Sequence, residues 1–170
     1  NGKEKEYLLE TIDSTFVSSV GKYVDQVESF LADYTKTSKG VAVVNGTAAI
    51  QVALRLAGVS PGDEVIIPAY TYCATANVVE HVGAKPVMVD VNKDDFNINV
   101  QNIKKAITNK TKVIVPVDFA GFPCDYDEIN DLVNHPDIKK LFKANNEKQE
   151  KLGRILVMSD AAHSFGAIYY

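Results

Sequence analysis

Apolar positions in this chain come in blocks. From residue 41 onward, short β-branched runs at 41–44, 64–67, 86–89, 112–117 and 155–158 alternate with longer segments of helix-forming residues. Each run has strand length and is apolar throughout, so both faces of each strand must be kept from water. A parallel sheet covered by helices on both sides meets that requirement, and the fold class is read as α/β, mostly parallel sheet flanked by helices. Turn chemistry agrees. Gly58 follows a helix predicted over 47–57, Pro61-Gly62-Asp63 turns the chain into the second run, and Gly83 ends the helix after Tyr72.

The first 40 residues follow a different period. Two helices are predicted there, separated by a Ser- and Gly-containing break at 15–21; the second helix sets Val24, Val27, Leu31 and Tyr34 on one face, for packing on something larger. The organisation read from the pattern is an N-terminal helical segment, 1–40, and an α/β domain, 41–170. The polar stretch 143–151 predicts a solvated helix end or loop, and the stretch 134–154 as a whole an extended surface helix. No internal repeat or low-complexity tract interrupts the chain.

Composition narrows the chemistry. With 46% hydrophobic and 24% charged residues over 170 positions, the chain can bury a core. A net charge of −4, without a dense Lys/Arg block, gives no footprint for nucleic acid or an anionic membrane and favours small-molecule chemistry. The charged first ten residues, and the lack of any run of about 18 apolar residues, predict neither a signal peptide nor a membrane span. Cys73 and Cys124 stand far apart, outside any CxxC spacing, so neither a metal site nor a disulfide framework is signalled. A reduced, cytoplasmic setting is expected.

Three segments could carry chemistry, each following an apolar run. Asn45-Gly46-Thr47-Ala48-Ala49 opens a helix, with Thr47 read as its N-cap; a glycine lets a ligand approach backbone, and the helix end attracts phosphate. Taken alone, these residues are better explained as an ordinary strand-to-helix turn with a capping Thr. Neither GxGxxG nor GxxxxGK[ST] is present, which removes the usual support for a dinucleotide site or a P-loop. Tyr72, with Tyr70 competing for the role, could stack on a planar ligand or simply fill the core. Asp160-Ala161-Ala162-His163 sets a carboxylate at the end of the last run, where open α/β sheets gather ligands; a capping Asp and a surface His are the plain alternatives. A phosphate cradle, an aromatic plate and a carboxylate together suit a flat, phosphorylated, nitrogen-containing ring such as pyridoxal 5'-phosphate (PLP).

These residues also carry a family resemblance. The segments 44–49, 61–68, 83–87 and 107–112, together with Asp160-Ala161-Ala162-His163, resemble the DegT/DnrJ/EryC1/StrS family in order and spacing over almost the whole chain. The resemblance implies the large domain of the PLP-dependent transferase fold type I, incomplete here, in a homodimeric enzyme. That enzyme would move an amino group, usually from glutamate, to a keto-sugar on a nucleotide. It implies that Gly46, Thr47 and Ala48 hold the cofactor phosphate, that Tyr72 stacks on the pyridine ring, that Asp160 pairs with the ring nitrogen and that His163 lies beside the ring hydroxyl. Ser18, Ser19 and Gly21 would belong to a loop near the sugar nucleotide. The Schiff-base lysine lies downstream in the family, so no catalytic lysine is expected within these 170 residues, and the stretch alone is expected to be inactive. Two departures stand out: Ser159 replaces a frequent acidic residue, and Asp118-Phe119-Ala120-Gly121 replaces a His-containing version. A sugar dehydratase on the same scaffold, with another base for the lysine, and a non-catalytic binding or regulatory protein are the alternatives.

Overall fold

The computed structural model describes residues 2–168, which divide into two compact units between Val44 and Asn45. The first unit contains helices α1 (Glu4–Asp13) and α2 (Lys22–Thr35). They are tied at the break: Lys22 and Tyr23 both engage the Glu10 carboxylate, and the rings of Tyr7 and Tyr23 lie 5.0 Å apart. The hydrogen bond from Tyr23 to Glu10 pushes the Tyr23 phenol up to about 12.

The run at 41–44 is not a strand. Val41, Val43 and Val44 are exposed, Val44 by 89%, and the Ala42 amide donates to Glu28 Oε1 at 2.8 Å. β-branched residues make a strand only when a neighbour supplies the ladder, and among the described residues none pairs with this run.

The second unit is built on four parallel strands: β1 (Glu64–Pro68), β2 (Lys85–Val89), β3 (Thr111–Ile114) and β4 (Leu156–Val157), in the spatial order β2-β1-β3-β4. Around them run α3 (Gly46–Leu56), α4 (Ala74–His81), α5 (Val100–Ala106), α6 (Tyr126–Asn134), α7 (Pro136–Leu141) and α8 (Glu147–Leu152). Side chains alternate between two cores, as the two-residue period of a strand requires. Ile66 and Ile114 join Val100, Ile103, Ile129, Val133 and Ile138 of α5, α6 and α7 on one face. Val65, Ile67, Val113 and Val115 join Leu54, Val78 and Val79 of α3 and α4 on the other. Each fully buried Val or Ile contributes about 1.5–3 kcal/mol relative to exposure. The continuous apolar runs at β1 and β3 are explained by cover on both sheet faces, while Met88 on the edge strand β2 is exposed, and the α/β class holds.

The chain leaves β1 toward β2 on one side, then returns to β1's other side for β3 and β4. Strand order therefore reverses between β1 and β3, and a crevice forms outside the carboxyl ends of strands at such a point.

The stretch 134–154 is not one extended helix. His135 caps α7, whose first residue is Pro136; Phe142 then turns extended, and Asn146 starts α8 by accepting from the Gln149 amide. Nor is 143–151 wholly solvated. Gln149 is fully buried and donates to the Gly58 carbonyl at 2.9 Å and to Asp63 Oδ2 at 2.8 Å. Asp63, itself buried, also accepts from Ser60 and Asn145 and lies 3.9 Å from the buried Lys112 ammonium. Burial holds the Lys112 ammonium below its ordinary pKa, against the opposing pull of Asp63 and Glu64.

Candidate active site

A cleft of about 550 Å³ opens at the strand reversal, within the size range of small-molecule sites. Four segments line it. The start of α3 gives Gly46, Thr47 and Ile50; the loop after β1 gives Tyr70, Thr71 and Tyr72; the segment after β3 gives Val117, Asp118 and Phe119; the turn after β4 gives Asp160, Ala162 and His163. Five residues singled out in the sequence for a flat phosphorylated ligand, Gly46, Thr47, Tyr72, Asp160 and His163, thus line one cleft. Ala48 is not among the lining residues.

At the helix end, the cap is Asn45 and not Thr47. Asn45 has extended backbone, and its side chain accepts from the Ala48 amide at 2.9 Å. Asn ranks with Asp and Ser at the head of the N-cap scale, above Thr, and α3 begins at Gly46, the residue after Asn45. Thr47 is thereby a first-turn residue with its side chain in the cleft, while the Ala48 amide is engaged within the cap. Helix geometry leaves the Gly46 and Thr47 amides without intrahelical acceptors, and a Cβ built on Gly46 would meet nothing within 4 Å. The positive end of an 11-residue helix opens onto this space.

Of the two tyrosines after β1, Tyr70 packs its ring 5.1 Å from Phe119 and 5.6 Å from Phe96. Both line the cleft, Tyr72 with 77% of its surface exposed against 53% for Tyr70.

Across the cleft, Asp160 is half-buried and joined to the end of the sheet. Its amide donates to the Pro116 carbonyl at 2.8 Å, its carbonyl accepts from the Asp118 amide at 3.2 Å, and its Oδ1 accepts from the Ala162 amide at 3.2 Å. The carboxylate starts a tight turn, and Asp160 lines the cleft. His163, in that turn, is exposed.

Ser18 and Gly21 line a separate cavity of about 250 Å³ in the first unit, with Glu10, Lys22 and Tyr23; Ser19 is exposed and outside it. Asp118, which sequence reasoning noted only as a departure, is 4% exposed, and its carboxylate accepts from the Cys124 amide and from the Tyr126 and Ser164 hydroxyls. The signal that flagged Asp160, an acidic residue closing an apolar run, was equally present at Asp118. Burial and the Asp118 hydrogen bond push the Tyr126 phenol well above its ordinary pKa. Burial, with the Asp118 charge second, pushes the Cys124 thiol up to about 12. No described helix is long and apolar enough to cross a membrane.

Similar geometry recurs in known proteins. The chain is 38% identical to GDP-perosamine synthase of Escherichia coli O157:H7 over 168 residues, 99% of this chain and 42% of that protein. It is 40% identical to UDP-2-acetamido-2-deoxy-3-oxo-D-glucuronate aminotransferase of Pseudomonas aeruginosa over 150 residues, 88% of this chain and 37% of that protein. Among solved structures it matches Spr1654 of Streptococcus pneumoniae, named as a sugar aminotransferase and solved in PMP, PLP and apo forms; the PMP form superposes with a TM-score of 0.90 at 41% identity, covering 96% of this chain and 40% of that one. The chain thus spans about 40% of the length of these relatives. The model of the DegT/DnrJ/EryC1/StrS aminotransferases, whose members use PLP, matches residues 1–170, and the chain belongs to that family.

Proposed function

We propose that these residues form the front part of a PLP-dependent aminotransferase that moves an amino group, from glutamate, to a keto-sugar carried on a nucleotide. The observation carrying this reading is the single cleft at the strand reversal, where a helix end with open backbone, an exposed tyrosine ring and a half-buried carboxylate converge. The donor set suits PLP: amides for a phosphate, a π-face for a ring and an acceptor for a protonated nitrogen.

In this reading the Gly46 and Thr47 amides and the Thr47 hydroxyl hold the phosphate, and the Asn45 cap fixes the first turn of α3 around them. Tyr72 covers one face of the ring. Asp160 keeps a proton on the pyridine nitrogen, and His163 stands beside the ring hydroxyl. PLP, when bound, acts as an electron sink for carbanion chemistry at the amino-bearing carbon. Residues 45–170 supply cradle, plate and counter-charge, and the covalent lysine that also moves the proton belongs to a segment after Tyr170. Ser18, Ser19 and Gly21 are proposed to approach the sugar nucleotide, and a cytoplasmic homodimer completes the reading. Leu56 and Met88, 68% and 59% exposed, are apolar surface that a second subunit or the rest of the protein would cover.

The test is amino transfer by the full-length protein. Glutamate consumption that depends on both PLP and a keto-sugar nucleotide is expected; PLP uptake with loss of a sugar hydroxyl and no amination would mark a dehydratase, and no PLP uptake at all a binding or regulatory protein.

A further inference from the structure

Asp160 performs its proposed task only if the turn that carries it is held at a fixed depth in the cleft. Its own backbone contacts fix the strand end, but the turn beyond, 161–166, has no regular secondary structure to stiffen it. A second carboxylate, that of the buried Asp118, is tied to the chain on both sides of Asp160. Asp118 Oδ2 accepts from the buried Ser164 hydroxyl at 2.6 Å, four residues after Asp160. Asp118 Oδ1 accepts from the Tyr126 hydroxyl at 2.6 Å, and that hydroxyl also meets the hydroxyl of Ser159, the residue before Asp160. A phenol has one proton; since Tyr126 donates it to Asp118, Ser159 is the donor in the second bond. Asp118 therefore grips the chain on both sides of Asp160, once directly and once through Tyr126.

Asp118 is itself anchored. Its Oδ1 takes the Cys124 amide at 2.9 Å, and the loop after it is pinned by the buried Asn97, which accepts from the Phe119 amide at 3.1 Å and donates to the Phe122 and Pro123 carbonyls. The loop also presses on the turn: a Cβ on Gly121 would come within 2.9 Å of the His163 carbonyl oxygen. Charge-assisted bonds of this length are the stronger kind, and a network with each member engaged admits one arrangement.

Building on the PLP reading above, we propose that Asp118 is a positioning residue, whose carboxylate, through Ser164 and the Tyr126–Ser159 pair, sets the Asp160 carboxylate against the ring nitrogen of the cofactor. It touches no reacting atom and acts only through Asp160.

Asp118→Ala would take away the acceptor of the Ser164 and Tyr126 hydroxyls and of the Cys124 amide at once and could prevent folding, so the test removes one donor at a time in the full-length protein, as Ser164→Ala and Tyr126→Phe. PLP affinity of the apo protein is titrated for each variant alone and combined with Asp160→Ala. Each single variant is expected to weaken PLP binding about tenfold, the effect of one charge-assisted bond lost. In the Asp160→Ala background the further loss is expected to stay under about twofold, because contacts acting through one group do not add. Ser164→Thr, which keeps the hydroxyl, restores affinity. Amide exchange of the apo protein is expected to quicken at 160–164 in Ser164→Ala. Unchanged affinity in both single variants, or an equal tenfold loss with and without Asp160, overturns the proposal. A wild-type protein that takes up no PLP overturns the functional reading first, while the exchange result still reports whether the grip exists.

Discussion

Gly46→Ala separates ligand binding from folding. Gly46 is the first residue of α3 and lines the cleft, and a Cβ there would meet nothing within 4 Å. Its φ is not positive, so alanine adopts the same backbone without strain, and the better helix former offsets any small loss of solvation. Folding free energy should stay within about 1 kcal/mol of wild type. The added methyl, however, occupies the approach to the first-turn amides, where a phosphate oxygen would sit. Losing one hydrogen bond to a charged group costs about 1.5–3 kcal/mol, or roughly 10- to 150-fold in affinity. The assay pairs urea denaturation of the full-length apo protein with PLP titration, and with inorganic phosphate as competitor. PLP affinity should drop by that factor, phosphate should compete more weakly, and the denaturation midpoint should hold. Unchanged PLP affinity would refute the assignment of the α3 amides to the phosphate; a large fall in the midpoint would refute the claim that the space is open.

Gln149→Leu breaks the tie between α8 and the sheet. It removes a bond to the Asp63 carboxylate and strips the Asn145 amide of its acceptor, so unfolding free energy should fall by about 3 kcal/mol with an unchanged denaturant slope. A fall below about 1 kcal/mol would show that water replaces the glutamine. The two cysteines should differ sharply in reactivity. Exposed Cys73 is expected to alkylate at pH 8, while Cys124, buried with its thiol pushed up to about 12, stays unmodified until the protein unfolds. Because that shift is upward, thiolate at Cys124 grows only as pH climbs toward 12, and peptide mapping after iodoacetamide treatment at pH 7, 8 and 9 should find it protected throughout.

The strands at 64–68 and 85–89 were legible because a run that is apolar on both faces has few other uses, and Gly58, Pro61-Gly62 and Gly83 punctuate them unambiguously. The run at 41–44 has the same composition but no neighbouring strand among the described residues, and pairing is a property that no local pattern encodes. Asn45 and Thr47 are both capping residues two positions apart, so the first helical turn could not be assigned from residue type alone. The cleft was legible as three separate segments: those of Tyr72 and Asp160 follow strand ends, where topology concentrates ligands, and that of Gly46 opens a helix. Gln149 and Asp118 were not. A glutamine in a Lys/Glu-rich stretch reads as solvated, and an aspartate after a strand reads as a turn residue, until tertiary structure brings Asp63 to the one and Tyr126 and Ser164 to the other.

The central claim is that the cleft between Gly46, Tyr72 and Asp160 holds PLP with Asp160 on the ring nitrogen. Nitrogen-15 NMR of ring-labelled PLP bound to the full-length protein reads that atom directly. The shift of a protonated pyridine nitrogen is expected in the wild type and that of an unprotonated one in Asp160→Ala at the same pH. An unprotonated nitrogen in the wild type, or a protonated one that survives the substitution, would contradict it.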